Sequence, residues 1–129
     1  MSTEMCMLVW SVVLGLVQIA IAATGLIAQH GMAWAVGPRD GEPKPLTGVV
    51  GRLDRARHNF LETFPLFAVA VLAAYVLQRH DAMIVLGAQL YFWARVAYVP
   101  AYAAGISYLR TLIWAVSIAG IVMVLASLF

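Results

Sequence analysis

The chain has 129 residues, 64% of them hydrophobic and 11% charged, with a formal net charge of +2 and a mean hydropathy of +0.90. A water-soluble domain carries about a quarter of its residues as charges, and one this apolar would expose wide sticky patches, so composition argues for membrane insertion. The charge is too mild for nucleic-acid binding, and the single cysteine, Cys6, permits neither an internal disulfide nor a Cys/His metal site.

Residues 5–28 are an almost unbroken apolar run, relieved only by Ser11, Gln18 and Thr24. That length crosses a hydrocarbon core of about 30 Å. The run is too long for a cleavable signal peptide, and Glu4 stands where a basic cluster would be needed. Residues 29–50 are polar and hold Pro38, Pro43, Pro45 and several glycines, which predicts the longest loop in the protein. A second span follows over about 51–77, polar in its first turns and wholly apolar afterwards. Gln78, Arg79, His80 and Asp81 make a tight turn, and a third span over 82–104 carries one charge, Arg95. The fourth, over 110–128, is uncharged after Arg110. None of these runs alternates with period two, which excludes a β-barrel. The predicted fold is all-α: a single transmembrane domain over 1–129, built as an integral membrane four-helix bundle.

Orientation follows from where lysine and arginine lie. Arg39, Lys44, Arg52, Arg55 and Arg57 occupy the long loop and the start of the second span, and Arg110 follows the last turn. Only Arg79 lies on the opposite side. This bias puts the first and third connections in the cytoplasm and both termini on the non-cytoplasmic side of the cell membrane.

An ionisable group inside a membrane span costs about 2.5–3.5 kcal/mol on insertion scales, so it needs a partner or a function. Glu62 and Arg95 both lie about 15 Å from the cytoplasmic ends of their helices at 1.5 Å per residue. Their shared depth predicts an ion pair between the second and third spans. At about 100° per residue, Arg52, Arg55, Asn59 and Glu62 fall within an arc of about 80°, while Asp54, Arg57 and His58 point elsewhere. On the third span Tyr91, Arg95, Tyr98 and Tyr102 lie within about 60°. The two stripes imply a polar crevice open to the cytoplasm, suited to an anionic, hydrogen-bonding ligand. Pro65 and Pro100 each remove a backbone hydrogen bond near these stripes and are expected to kink their helices.

The segment from Arg55 to Glu62, with arginine, asparagine four residues on and glutamate three further, resembles the signature of the membrane-associated proteins in eicosanoid and glutathione metabolism (MAPEG). Arg52 matches a second family arginine three residues earlier. Residues 94–102 look like the family's third helix, and Arg110 with Thr111 looks like the start of its fourth, so the resemblance runs from about Arg52 to Trp114. The long loop makes the chain look closest to the bacterial branch, and hence to a bacterial inner membrane. The resemblance implies a homotrimer with glutathione held between neighbouring subunits near the cytoplasmic side, as in the family's microsomal glutathione transferases. By position, Arg52, Arg55, Asn59, Glu62, Arg95, Tyr98 and Tyr102 would bind glutathione, Arg110 would sit by its sulfur, and Thr111 stands where some members have serine. The implied reaction is conjugation of glutathione to small lipophilic electrophiles, or reduction of lipid hydroperoxides, reached from membrane lipids. No metal is implied. The chain departs from the family pattern at Gly51, where glutamate is frequent, and at Gln29 and His30, where members place an arginine. Two readings from other classes remain open: a non-catalytic scaffold that kept the fold, and a lipid- or anion-binding subunit of a larger complex.

Overall fold

The computed structural model describes residues 1–41 and 44–129, and it contains no strand among them. Its elements are α1 (Thr3–His30), α2 (Met32–Val36), α3 (Gly48–Val76), α4 (Ala82–Ala103) and α5 (Ser107–Ala126). Four of them, α1, α3, α4 and α5, are long and apolar enough to cross a bilayer. A helix suits that medium because it satisfies every backbone N–H and C=O within one segment. The chain is a multi-pass membrane protein of four spanning helices.

Two differences from the sequence reading bear on the site. The connection expected to be loop throughout contains the short helix α2, flanked by Gly31 (φ 88°) before it and Gly37 after it. Pro43, expected in that loop, lies outside the described residues. The last span begins earlier than expected, because the Arg110 N–H bonds the Ile106 carbonyl at 3.0 Å and closes a first turn. Arg110 therefore stands within the first turn of α5 rather than at its first position.

Turn chemistry sets the other boundaries. Asp81 caps α4, its side chain accepting from the Ile84 N–H at 2.9 Å. The α4–α5 turn passes through Gly105 at φ 75°, where the Ile106 N–H returns to the Ala101 carbonyl at 3.3 Å. That backbone conformation strains any residue with a Cβ.

Helix α4 touches each of the other three spanning helices, whereas α1 and α5 do not meet. Its inward face is accordingly the most continuous, with Ile84, Ala88, Tyr91, Arg95 and Tyr98 all buried. At the α4–α5 crossing backbone lies directly against backbone. A Cβ at Gly120 would lie 2.5 Å from the Gly87 carbonyl oxygen, and one at Gly87 would lie 2.6 Å from that of Gly120. Small residues of this kind are what let helices approach where no hydrophobic force drives them together. On α3 the buried positions Ala56, Phe60, Thr63, Phe67, Ala70 and Ala74 recur every three or four residues, so one stripe faces the core. Phe67 stacks on Tyr91 at 4.0 Å between ring centroids, and the Thr63 and Tyr91 hydroxyls share a hydrogen bond of 3.1 Å.

The two ends are fastened differently. At one, Arg52 of α3 donates to the Ala103 carbonyl at 3.0 Å. At the other, the His80 Nδ1 lies 2.6 Å from the buried Glu4 carboxylate, and Ser127 donates to Asp81.

Replacing Gly120 by alanine should force α4 and α5 apart, since the obstructing atoms are backbone, at a cost of about 1–3 kcal/mol. Thermal unfolding in detergent reads this directly. Gly120→Ala should melt well below the parent, while Ala119→Val, on the exposed neighbouring position, should not. Equal midpoints for the two variants would refute the close crossing.

The Ser127 hydroxyl and, next, the Ile84 N–H hold the Asp81 carboxyl below its usual pKa. A carboxyl depressed on folding stabilises the native state above its unfolded value, and the gain is lost as pH falls through the folded value. The melting temperature should therefore decline below about pH 4, and Asp81→Asn should flatten that decline. An unchanged pH profile in the variant would show that Asp81 contributes nothing to it.

Candidate functional site

The polar residues of the spans gather at the end where α3 and α5 begin and α4 finishes. Arg55, exposed on α3, donates through Nε to the Tyr102 hydroxyl at 3.2 Å, with its guanidinium 5.8 Å from the Tyr102 ring centroid. Arg110 reaches the same pair of tyrosines from α5. It donates to the Tyr98 hydroxyl at 3.4 Å and stands 4.7 Å over the Tyr102 ring. The two rings meet edge to face at 5.6 Å. Three helices thus place two guanidiniums around one pair of phenols, with Arg52 beside them on the Ala103 carbonyl.

Deeper along α4 lies Arg95, 1% exposed. Its guanidinium stacks 4.2 Å over Tyr98 and 5.8 Å from the centre of Phe60. None of its three nitrogens has a hydrogen-bond partner among the described residues. The aromatic faces supply some attraction to a cation, but guanidinium N–H groups left unbonded in an apolar interior are costly. Asn59, half-buried on α3, also has an enclosed side-chain oxygen with no partner among the described residues. No carboxylate forms a salt bridge with Arg52, Arg55, Arg95 or Arg110 among the described residues; the recorded ion pairs are Arg57–Asp54, His58–Asp54 and His80–Glu4.

The expected Glu62–Arg95 pair does not form within the chain. The reason is angular: the core stripe of α3 passes through Phe60, Thr63 and Phe67, and one residue of rotation, about 100°, leaves Glu62 exposed. Thr63 takes the inward position and is spent on Tyr91. Thr111 likewise stays apart from the cluster, exposed, with its hydroxyl donating to the Ser107 carbonyl at 3.1 Å. The fold therefore assembles Arg52, Arg55, Arg95, Tyr98, Tyr102 and Arg110, sets Asn59 at the edge, and leaves Glu62 and Thr111 outside.

Two contributors had no signal in the sequence. The Ala103 carbonyl, which anchors Arg52, is a main-chain group available at the end of any helix. Gly51 is buried, and a Cβ there would lie 2.6 Å from the Leu46 carbonyl oxygen, so glycine lets the preceding segment lie flat on α3.

Electrostatically the site is a cationic crevice at one end of a membrane bundle. Its donors include guanidinium forks, which suit carboxylates, and amphipathic phenols. A family model described as the MAPEG family matches residues 7–129. No curated protein matches the chain. The order of the matched helices, the arginine–asparagine start of α3, the Arg95–Tyr98–Tyr102 face of α4 and the arginine in the first turn of α5 all fall within that match. The chain belongs to the MAPEG family, which includes glutathione-dependent transferases and peroxidases.

Proposed function

We propose that this protein is a glutathione-dependent membrane enzyme that adds the tripeptide's thiolate to lipophilic electrophiles or uses it to reduce lipid hydroperoxides. The observation that carries the reading is the convergence of Arg55 and Arg110 on Tyr98 and Tyr102 without a neutralising carboxylate among the described residues. Glutathione brings two carboxylates, an ammonium, two amides and a thiol. The orphaned nitrogens of Arg95 and the orphaned oxygen of Asn59 fit such a ligand, as acceptors and donors are what each lacks.

The residues divide the work. Arg52, Arg55 and Arg95 grip carboxylates, with Tyr98 and Tyr102 as hydroxyl partners beside them. Asn59 takes an amide. Glu62 suits the ammonium, and its exposure on α3 fits a homotrimer in which it faces a neighbour's ligand. Arg110 acts on the sulfur: a fixed positive charge lowers a thiol's pKa and favours thiolate at neutral pH. Thr111 would join it only by giving up its bond to Ser107. In conjugation the thiolate forms a bond to an electrophilic carbon and the leaving group departs, or a proton is taken up after addition. In peroxide reduction it attacks the O–O bond, releasing the alcohol, and a second glutathione turns the sulfenic acid into disulfide and water. The electrophile reaches the site laterally, since α5 presents an apolar exposed face below Arg110 that includes Leu112 and Val116.

A non-catalytic scaffold is favoured by one observation: Arg52, Arg55 and Arg110 already bond groups of the chain itself. Arg110→Ala separates the readings. For an enzyme it should abolish the thiolate absorbance near 240 nm that glutathione develops on binding, and cut turnover about 100-fold or more, the scale for removing one electrostatic stabiliser. Glutathione affinity should fall far less, because the lost contact is to the reacting sulfur. Arg110→Lys should recover part of the rate as a point charge without the fork. Unchanged conjugation and peroxidase rates in Arg110→Ala would end the catalytic assignment.

The basic end, with Arg39, Lys44, Arg52, Arg55, Arg57 and Arg110, is proposed to face the cytoplasm, leaving Glu4, Arg79, His80 and both termini on the other side. A reporter active only outside the cytoplasm should work when fused at Phe129 and fail when inserted at Gly41. The reverse pattern would invert the topology and put the site on the wrong face.

A further inference from the structure

The described residues between α1 and α3 take no part in the Arg55–Arg110 cluster, yet they are held at several points. The Gln29 side chain clasps its far end twice, donating to the Thr47 carbonyl at 3.0 Å and accepting from the Thr47 N–H at 3.1 Å. Arg39, held at φ 56°, folds back through Nε and a terminal nitrogen onto the Ala35 carbonyl. Gly51 lets Leu46 lie against α3. Such fastening is unusual for a connecting loop, and it walls a groove between α1 and α3.

The groove has two adjoining parts that share Leu26, Arg39, Leu46, Asp54 and Arg57. The outer part is a cavity of about 390 Å³ whose further lining includes His30, Trp34 and Lys44. The inner part, about 280 Å³, continues along α1 over Ile19, Ala22 and Ala23. From His30 to Ile19 the helix descends about 16 Å, half the thickness of a hydrocarbon core. Polarity therefore changes along the groove, from three cations at the mouth to aliphatic side chains inside. Among the described residues Asp54 is the one carboxylate lining it, and it is already engaged by Arg57 at 2.8 Å. Among the described residues, one terminal nitrogen of Arg39 and the Lys44 ammonium have no partner. Trp34 at the mouth is the residue type that settles at the headgroup level.

We propose that this groove is a binding site for an anionic phospholipid. The phosphate lies among Arg39, Lys44 and Arg57, and one acyl chain runs along Ile19, Ala23 and Leu26. Charge complementarity selects the headgroup, the apolar continuation selects an acylated ligand over a free anion, and the groove opens at the end proposed to meet the acidic cytoplasmic leaflet. None of its lining residues belongs to the cluster that Arg55, Tyr98, Tyr102 and Arg110 form within the chain.

Native mass spectrometry of the purified full-length protein in detergent, with dioleoyl phosphatidylglycerol, dioleoyl phosphatidylcholine or inorganic phosphate added, tests the assignment. Phosphatidylglycerol should remain as a discrete adduct and raise the melting temperature. Phosphatidylcholine at the same mole fraction should do so about tenfold less effectively, and phosphate alone should do neither. Removing two cations in Arg39→Gln/Lys44→Gln should weaken phosphatidylglycerol retention about tenfold or more. Ala23→Trp, which fills the inner part and leaves every charge in place, should do the same if the double variant fails to fold. Glutathione binding should be unchanged in both, so failure here is distinguishable from failure of the enzymatic reading. Equal retention of the two lipids, a shift produced by phosphate alone, or unaltered phosphatidylglycerol retention in the variants would each overturn the proposal.

Discussion

A guanidinium stacked on a phenol, Arg95 on Tyr98, sits at the centre of the arrangement. Helix α4, like α3, contacts all three other spanning helices and packs most extensively against α5, and this stack occupies its inward face with no acid to balance it among the described residues. A charge so placed is expensive unless something answers it. Aromatic rings on two sides, Tyr98 and Phe60, answer it in part. They also orient the tyrosine whose hydroxyl then receives Arg110. The close α4–α5 crossing at Gly87 and Gly120 completes this geometry: with the helix axes drawn together, the first turn of α5 stands directly over the Tyr98–Tyr102 pair.

The same economy of polar groups distinguishes the two ends of the bundle. One end concentrates arginines, and apart from Arg57, which pairs with Asp54, those of the crevice bond neutral groups, carbonyls and phenols. The opposite end pairs opposite or complementary groups, Glu4 with His80 and Asp81 with Ser127. An end tied by complementary partners is satisfied in itself. An end with cations on neutral acceptors retains capacity for anions, and both proposed ligands, a peptide dicarboxylate and a phosphate ester, lie there on opposite flanks of α3.

Helix α3 partitions these roles by rotation alone. Its core stripe through Phe60, Thr63 and Phe67 fixes the bundle. Arg52, Arg55 and Asn59, at the boundary of that stripe, reach the crevice, while Asp54 and Arg57 on another flank line the groove proposed for lipid. Glu62 lies exposed within a span, where a lone carboxylate is unfavourable. A second subunit that brings a cation or an ammonium-bearing ligand to that face would relieve it, which ties the proposed homotrimer to the same energetics as the site.

By itself the sequence determined what is local or periodic. Four apolar runs of spanning length, Asp81 before the third of them and Gly105 before the last were enough for the bundle and its turns, because desolvation in a bilayer depends on composition over about twenty residues and little else. The Tyr91–Arg95–Tyr98 face was readable for the same reason: helical spacing alone puts those residues on one side. Only the tertiary structure decided which faces meet. Depth along a helix is additive and survives small errors, rising about 1.5 Å per residue. Facing accumulates about 100° per residue, and a single position made Thr63, not Glu62, the inward group. Contacts distant in sequence, Glu4 with His80, Gln29 with Thr47 and Arg52 with the Ala103 carbonyl, leave no local pattern at all, since each arises from how whole helices come to lie beside one another.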